Sequence, residues 1–180
     1  MNKDRKRMVF MAGLMVFSCL ATVAAVLFFI SKLHMGHVMD DLTATAQSQA
    51  RLIEAIARYD LQYGIDYPGT SREATLAQIK DAHKQYKGFG ETGEFVLAHR
   101  EGEQIVFEFR HGRNGVEVPD SLPFASKNAE PMQRALSGLS GTMIGLDYRG
   151  ERVVAAYEPV AVLDMGIVAK MDMAEFRAPF

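Results

Sequence analysis

Arg110 and His111 stand side by side where a run of alternating apolar residues ends. A guanidinium grips a carboxylate through two parallel N–H bonds, and a neighbouring imidazole adds a donor, so the pair has the chemistry to hold a small anionic metabolite. The competing reading pairs Arg110 with Glu108 or Asp120 on the surface. Tyr148, Tyr157 and Lys170 fall on neighbouring predicted strands and are the candidates to complete such a pocket. Each has a plainer role as well. Tyr157 at half-buried strand spacing suits a core, and Lys170 suits a strand end in water. Phe107 and Phe109 read first as core and second as pocket wall.

Other chemistry is not indicated. His34 and His37 lie three apart on one helical face, but no third ligand follows nearby, so no metal is expected. Gly138, Gly141 and Gly145 lack the Lys-Ser or Lys-Thr that completes a phosphate loop. No Ser, His and acid set marks a nucleophile, and His83 and His99 read as solvated or half-buried, so neither an enzyme nor a cofactor is expected.

The elements that carry these residues begin with an anchor. Met8 to Ile30 is 23 residues without a charge, enough for a helix to cross a hydrocarbon core of ~30 Å. Lys3, Arg5, Lys6 and Arg7 precede it against Asp4 alone, which places the N-terminus in the cytoplasm. A cleaved signal peptide is the alternative, but Ala21 to Ala25 runs straight into Val26 to Ile30 rather than a polar mature start. The expected division is a tail over 1–7, a transmembrane helix over 8–32 and an outer domain over 33–178. The first 32 residues hold five of the 20 basic residues and one of the 22 acids, leaving 15 against 21, a charge of −6 for the remainder. That balance excludes a nucleic-acid partner. The single cysteine, Cys19, lies in the anchor, so the outer domain has no thiol to oxidise.

Beyond the anchor, Met35, Val38, Leu42, Thr45, Leu52, Ile56 and Tyr59, with Gln49 in register, recur in steps of three and four. This seam predicts one helix running on to about Tyr59 and, as a seam needs a partner, a parallel homodimer; packing on its own domain is the alternative. Gly64, Pro68 and Gly69 break the helix, and a second one runs from Thr70 or Ser71 to about Tyr86. Period-two alternation then predicts a hairpin over 94–99 and 103–110. A polar loop to about Lys127, a short helix from Asn128 to Leu136 capped by Asn128 and stopped by Gly138, and strands over 140–148, 152–160 and 165–171 complete the chain. The fold class is α+β: a five-stranded antiparallel sheet with the long helix on one face and the loop and short helix on the other.

Thr92-Gly93-Glu94, Arg110-His111, Ser140-Gly141-Thr142, Asp147-Tyr148-Arg149-Gly150, Val153 to Pro159 and Val168-Ala169-Lys170-Met171-Asp172 together resemble the extracytoplasmic Cache-type sensor domains of bacterial signalling receptors. The resemblance covers roughly 33–178 and is most specific from Ser140 to Asp172. It implies a PAS-like sheet on a long N-terminal helix, in a single-pass protein of the bacterial inner membrane with its main domain periplasmic or extracellular. It also implies a small-molecule ligand, a carboxylate if Arg110 and His111 hold it, and an output such as a histidine kinase, a nucleotide cyclase or a chemotaxis-type signalling region. Such receptors return through the membrane, and Asp172 to Phe180 reads as a helix leading to that second crossing, so the chain is expected to be the front of a longer receptor; a standalone protein that cannot signal inward through a second helix is the alternative. The rival expectation is a membrane-anchored assembly protein using the same fold to hold a partner protein.

Overall fold

The computed structural model describes residues 3–63, 71–83, 89–110 and 119–177. The elements are helices α1 (Lys3–Tyr63) and α2 (Ser71–His83), strands β1 (Glu94–Glu101), β2 (Gln104–Arg110) and β3 (Ser121–Pro123), helix α3 (Glu130–Leu136), strands β4 (Gly141–Leu146) and β5 (Arg152–Val160), a 3-10 turn at Ala161–Leu163, strand β6 (Met165–Asp172) and helix α4 (Met173–Arg177). The chain divides into two units, Met1–Val38 and Met39–Phe180.

The first unit presents Met8, Phe10, Leu14, Phe17, Leu20, Leu27 and Phe29 to its surroundings. By length and composition, helix α1 is apolar enough to cross a membrane. Two of its hydroxyls are satisfied within the helix: Thr22 donates to the Ser18 carbonyl and Ser31 to that of Leu27, each at 2.9 Å. Local bonding of this kind leaves mainly hydrocarbon facing outward.

In the second unit the sheet is antiparallel and six-stranded, in the order β3-β2-β1-β6-β5-β4. The expected five strands are thus corrected to six. The extra strand, β3, lies inside the segment read as a polar loop and pairs Leu122 with Ile105 on β2. It is too short to alternate visibly, and Pro123, which has no N–H to donate, suits the edge position it holds.

Successive strand residues point to opposite faces, and both faces here are covered. Val96, Ala98, Ile105, Phe107, Val153, Ala155, Tyr157 and Val168 form one core with Met132 and Ala135 of α3. Their alternates Phe95, Leu97, Val154, Ala156, Ile167 and Ala169 are equally buried. Leu42, Ala46, Ala50, Ile53 and Ala57 make up the buried stripe of α1, and the Ala161 N–H donates to Glu54 Oε1 at 3.1 Å where α1 passes the end of β5. Asp60, bonded by Thr75 Oγ1 at 2.6 Å, ties α1 to α2.

The stripe corrects the helix-seam expectation. Leu42 faces its own domain at 3% exposure, whereas Leu52 at 53% and Tyr59 at 64% do not. The other corrections are local. A bulge between Leu97 and Ala98 pairs Phe109 with Leu97, so Phe109 leaves the face that Phe107 occupies. Helix α3 is capped by Ala129, in a left-handed conformation at φ 62°, and not by Asn128. Strand β4 ends at Leu146, short of the expected 148, and five residues carry the chain to Arg152. The expected end of the second helix near Tyr86 lies outside the described residues.

Candidate functional site

The loop from β4 to β5 organises the site because Asp147, its first residue, folds it. Asp147 Oδ1 accepts the main-chain N–H groups of Arg149 and Glu151 at 2.8 and 3.0 Å, and Gly150 turns the chain at φ 82°. An aspartate bonding its own backbone two residues on is ordinary turn chemistry. Here its second oxygen does something further: Oδ2 accepts Arg149 Nε at 2.7 Å and Lys170 Nζ at 2.6 Å. All the acceptor positions of this carboxylate are therefore filled from within the chain.

Lys170, on β6, stands directly opposite Glu94 on β1, and its Nζ also pairs with Glu94 Oε1. The same Glu94 oxygen accepts the Tyr148 hydroxyl at 2.9 Å, and the Tyr148 ring lies 4.7 Å from Lys170 Nζ. Lys170 is 1% exposed and Asp147 2%. Charges so far from water persist only when paired and hydrogen-bonded. Arg149 extends the network, its Nη2 donating to Asp172 Oδ1 at 2.6 Å. From there the Asp172 N–H donates to Thr92 Oγ1 at 3.0 Å, and Glu175 of α4 accepts the N–H groups of Glu91 and Thr92 at 2.7 Å each. A continuous chain of polar contacts thus runs from the middle of the sheet to α4.

Protonation follows the pairing. Burial pushes the Asp147 carboxyl up, but Lys170 and Arg149 outweigh it and hold the group below the usual carboxylate range. Burial, then the charge of Glu94, raises the Tyr148 hydroxyl well above the ordinary phenol range, so it stays a neutral donor. Burial works against the Arg149 charge, yet its bonds to Asp147 and the nearby Asp172 hold the proton more tightly than usual.

Above this network lies a small cavity of about 10 Å³, room for roughly one water, lined by Val96, Ala129, Pro131, Met132, Asp147, Tyr148, Val168 and Lys170. Its roof is α3, held down by a close approach: a Cβ on Gly166 of β6 would lie 2.7 Å from the Ala135 Cβ. Its accessible surface is apolar throughout, and the polar groups of Asp147, Tyr148 and Lys170 are turned to one another behind it.

Of the residues expected at a site, the structure brings Tyr148 and Lys170 together. Lys170 does not end its strand in water, because Glu94 and Asp147 replace the hydration it gives up. Tyr157 is core, packed in the α3-side cluster away from the pocket lining. Arg110 ends β2 with its backbone paired to Val96, one of the lining residues, while His111 lies outside the described residues. The Glu108 carboxylate, offered above as a surface partner for Arg110, accepts Lys80 Nζ at 3.0 Å and lies 3.1 Å from His99 Nδ1. Glu94 and Asp147 were not singled out as site residues. Their signal was present, since a lysine between Ala169 and Met171 in a buried strand requires carboxylates somewhere in the fold. No group of His, Cys, Asp and Glu able to hold a metal ion occurs among the described residues. No family model, curated protein or solved structure matches the chain.

Proposed function

We propose that this chain is the membrane-anchored sensory part of a signalling receptor, which binds a small molecule in the pocket beneath α3 and passes the event across the membrane. The observation that carries the reading is an apolar pocket whose floor, Lys170 with Glu94, Asp147 and Tyr148, is bonded through Arg149 and Asp172 towards α4. A ligand contacting the floor or roof thereby has a physical route to shift the elements that follow the sheet, provided it binds the two arrangements with different affinity. Residues 1–7 form the cytoplasmic tail, 8–32 the membrane helix and 33–178 the outer, Cache-like sensor domain. The protein resides in the bacterial inner membrane, and its output is a histidine kinase, a nucleotide cyclase or a chemotaxis-type region. Arg110 and His111 serve as further donors to the ligand. The reading assigns this domain no catalysis.

A parallel homodimer fits this reading. With Leu42 withdrawn into the domain, Thr45, Gln49, Leu52, Ile56 and Tyr59 still recur at heptad spacing along α1, none of them buried. The same exposed Leu52, Tyr59 and Leu61 favour the second reading, an assembly protein that holds a different partner. Native mass spectrometry of the full chain released from its membrane decides between them. The sensor reading expects a bound small molecule that disappears when Val168→Leu fills the pocket. A chain that carries a protein partner instead, in wild type and variant alike, supports assembly.

A further inference from the structure

Lys170 Nζ lies against Glu94 Oε1 and 2.6 Å from Asp147 Oδ2, and the Tyr148 hydroxyl donates to the same Glu94 oxygen at 2.9 Å. All four residues are buried, and Lys170 and Glu94 stand directly opposite each other on β6 and β1. An amine held against a carboxyl group away from bulk water is a reactant pair for amide formation, because fixed position removes the entropic cost of encounter and exclusion of water disfavours hydrolysis. The two carboxylates are not equivalent in this respect. Asp147 accepts four hydrogen bonds, from Arg149 twice, Glu151 and Lys170, and its two cations keep it ionised, which suits it to act as a base and not to be attacked. Glu94 accepts only from Tyr148 and Lys170 among the described residues. A proton passed from the ammonium to Glu94 exchanges two buried charges for an amine and an acid, the neutral forms that burial favours.

We propose that the Lys170 and Glu94 side chains join in an amide bond, a self-catalysed cross-link between β6 and β1. Nζ adds to Cδ of Glu94, and the bond from Cδ to one carboxyl oxygen breaks. Of the three ammonium hydrogens, one stays on the amide nitrogen and two leave with that oxygen as water. Ammonium and carboxylate thus become amide and water with no proton gained or lost and no oxidant consumed. Asp147 Oδ2 takes the proton that Nζ sheds on attack and returns it to the departing oxygen. The Tyr148 hydroxyl, a neutral donor, faces the oxygen on which negative charge gathers as the nitrogen adds. The ion pair described above is the state before this reaction. Cys19 is the single cysteine and lies in the apolar helix, so the domain holding the sheet has no disulfide to close its chain. An amide between positions 94 and 170 restricts the unfolded chain in the same manner. The proposal does not depend on the sensor reading.

Intact-mass spectrometry of the full chain in detergent micelles tests it. The wild type is expected to be one water lighter than its sequence. Fragmentation after proteolysis is expected to show the peptide that holds Glu94 joined, through side chains, to the peptide that holds Lys170. A wild type at its full sequence mass would overturn the proposal, as would a water lost elsewhere in the chain or a junction from Lys170 to Asp147. Glu94→Ala is expected to recover the full mass, and a cross-linked peptide persisting in that variant would exclude Glu94. Tyr148→Phe keeps the ring and removes only the donor. Followed during cell-free synthesis into lipid nanodiscs, its linkage is expected to be slower than that of the wild type by about tenfold or more. Linkage at the wild-type rate would overturn the role given to Tyr148.

Discussion

Glu94 and Lys170 face each other across the ladder between β1 and β6, a buried cross-strand ion pair at the centre of a six-stranded sheet. Breaking such a pair from one side leaves a charge stranded, which typically costs ~3–5 kcal/mol. Lys170→Met is expected to destabilise the domain by about that amount, as read by urea unfolding. Adding Glu94→Gln is expected to restore much of it, because Asp147 keeps Arg149 while the uncompensated carboxylate is gone. Losses that simply add would show that the two side chains act independently.

Asp147 sets the response to acid. Its carboxyl is held below the unfolded value of ~3.9, so the stability it contributes is complete above that pH and is lost as pH falls through the folded value. Unfolding midpoints of the wild type are expected to be level near neutrality and to fall below about pH 4, with a shallower acid slope in Asp147→Asn. Glu158 has the opposite sign. Burial first, with Glu54 adding to it against Arg51, raises its carboxyl, so protonation favours the fold and Glu158→Gln is expected to cost nothing at neutral pH.

The network also shows where sequence reasoning stops. Alternation located five of the six strands, Gly138 the end of the short helix and the uncharged run from Met8 the long apolar helix, because each is a local pattern of apolar spacing or a breaker residue. It misplaced Lys170, since a polar residue in an alternating strand reads as solvent-facing unless its distant partners are known, and Glu94 lies 76 positions earlier. Helix α1 shows the same limit in another form. Large apolar side chains drew the seam through Leu42 and Leu52, while the buried stripe uses Ala46, Ala50 and Ala57, which the spacing of bulky residues does not mark. Strand β3 was hidden because three residues ending in proline carry no period.

That shift of the stripe sharpens the dimer test. Single cysteines at Leu52 and Tyr59 are expected to cross-link in membranes, whereas those at Ala44 and Arg58, which are turned away from the seam, and at the inward-facing Leu42, are not. Equal cross-linking around the helix would mean that no shared seam exists.

Orientation rests on the basic residues before the anchor. A reporter fused after Phe180 is expected to be active only outside the cytoplasm, and moving Lys3, Arg5, Lys6 and Arg7 to the far flank is expected to weaken that preference. Activity in the cytoplasm would overturn the compartment and the sensor reading together.

The most direct measurement is a thermal-shift screen of small metabolites on the full chain, run beside Val168→Leu, in which an added methylene enters the pocket. A ligand at 100 times its dissociation constant adds ~2.7 kcal/mol by mass action, so a true ligand is expected to raise the wild-type melting point by several degrees and leave the variant's nearly where it was. Equal stabilisation of both proteins, or none of the wild type across the screen, would contradict a sensory pocket beneath α3.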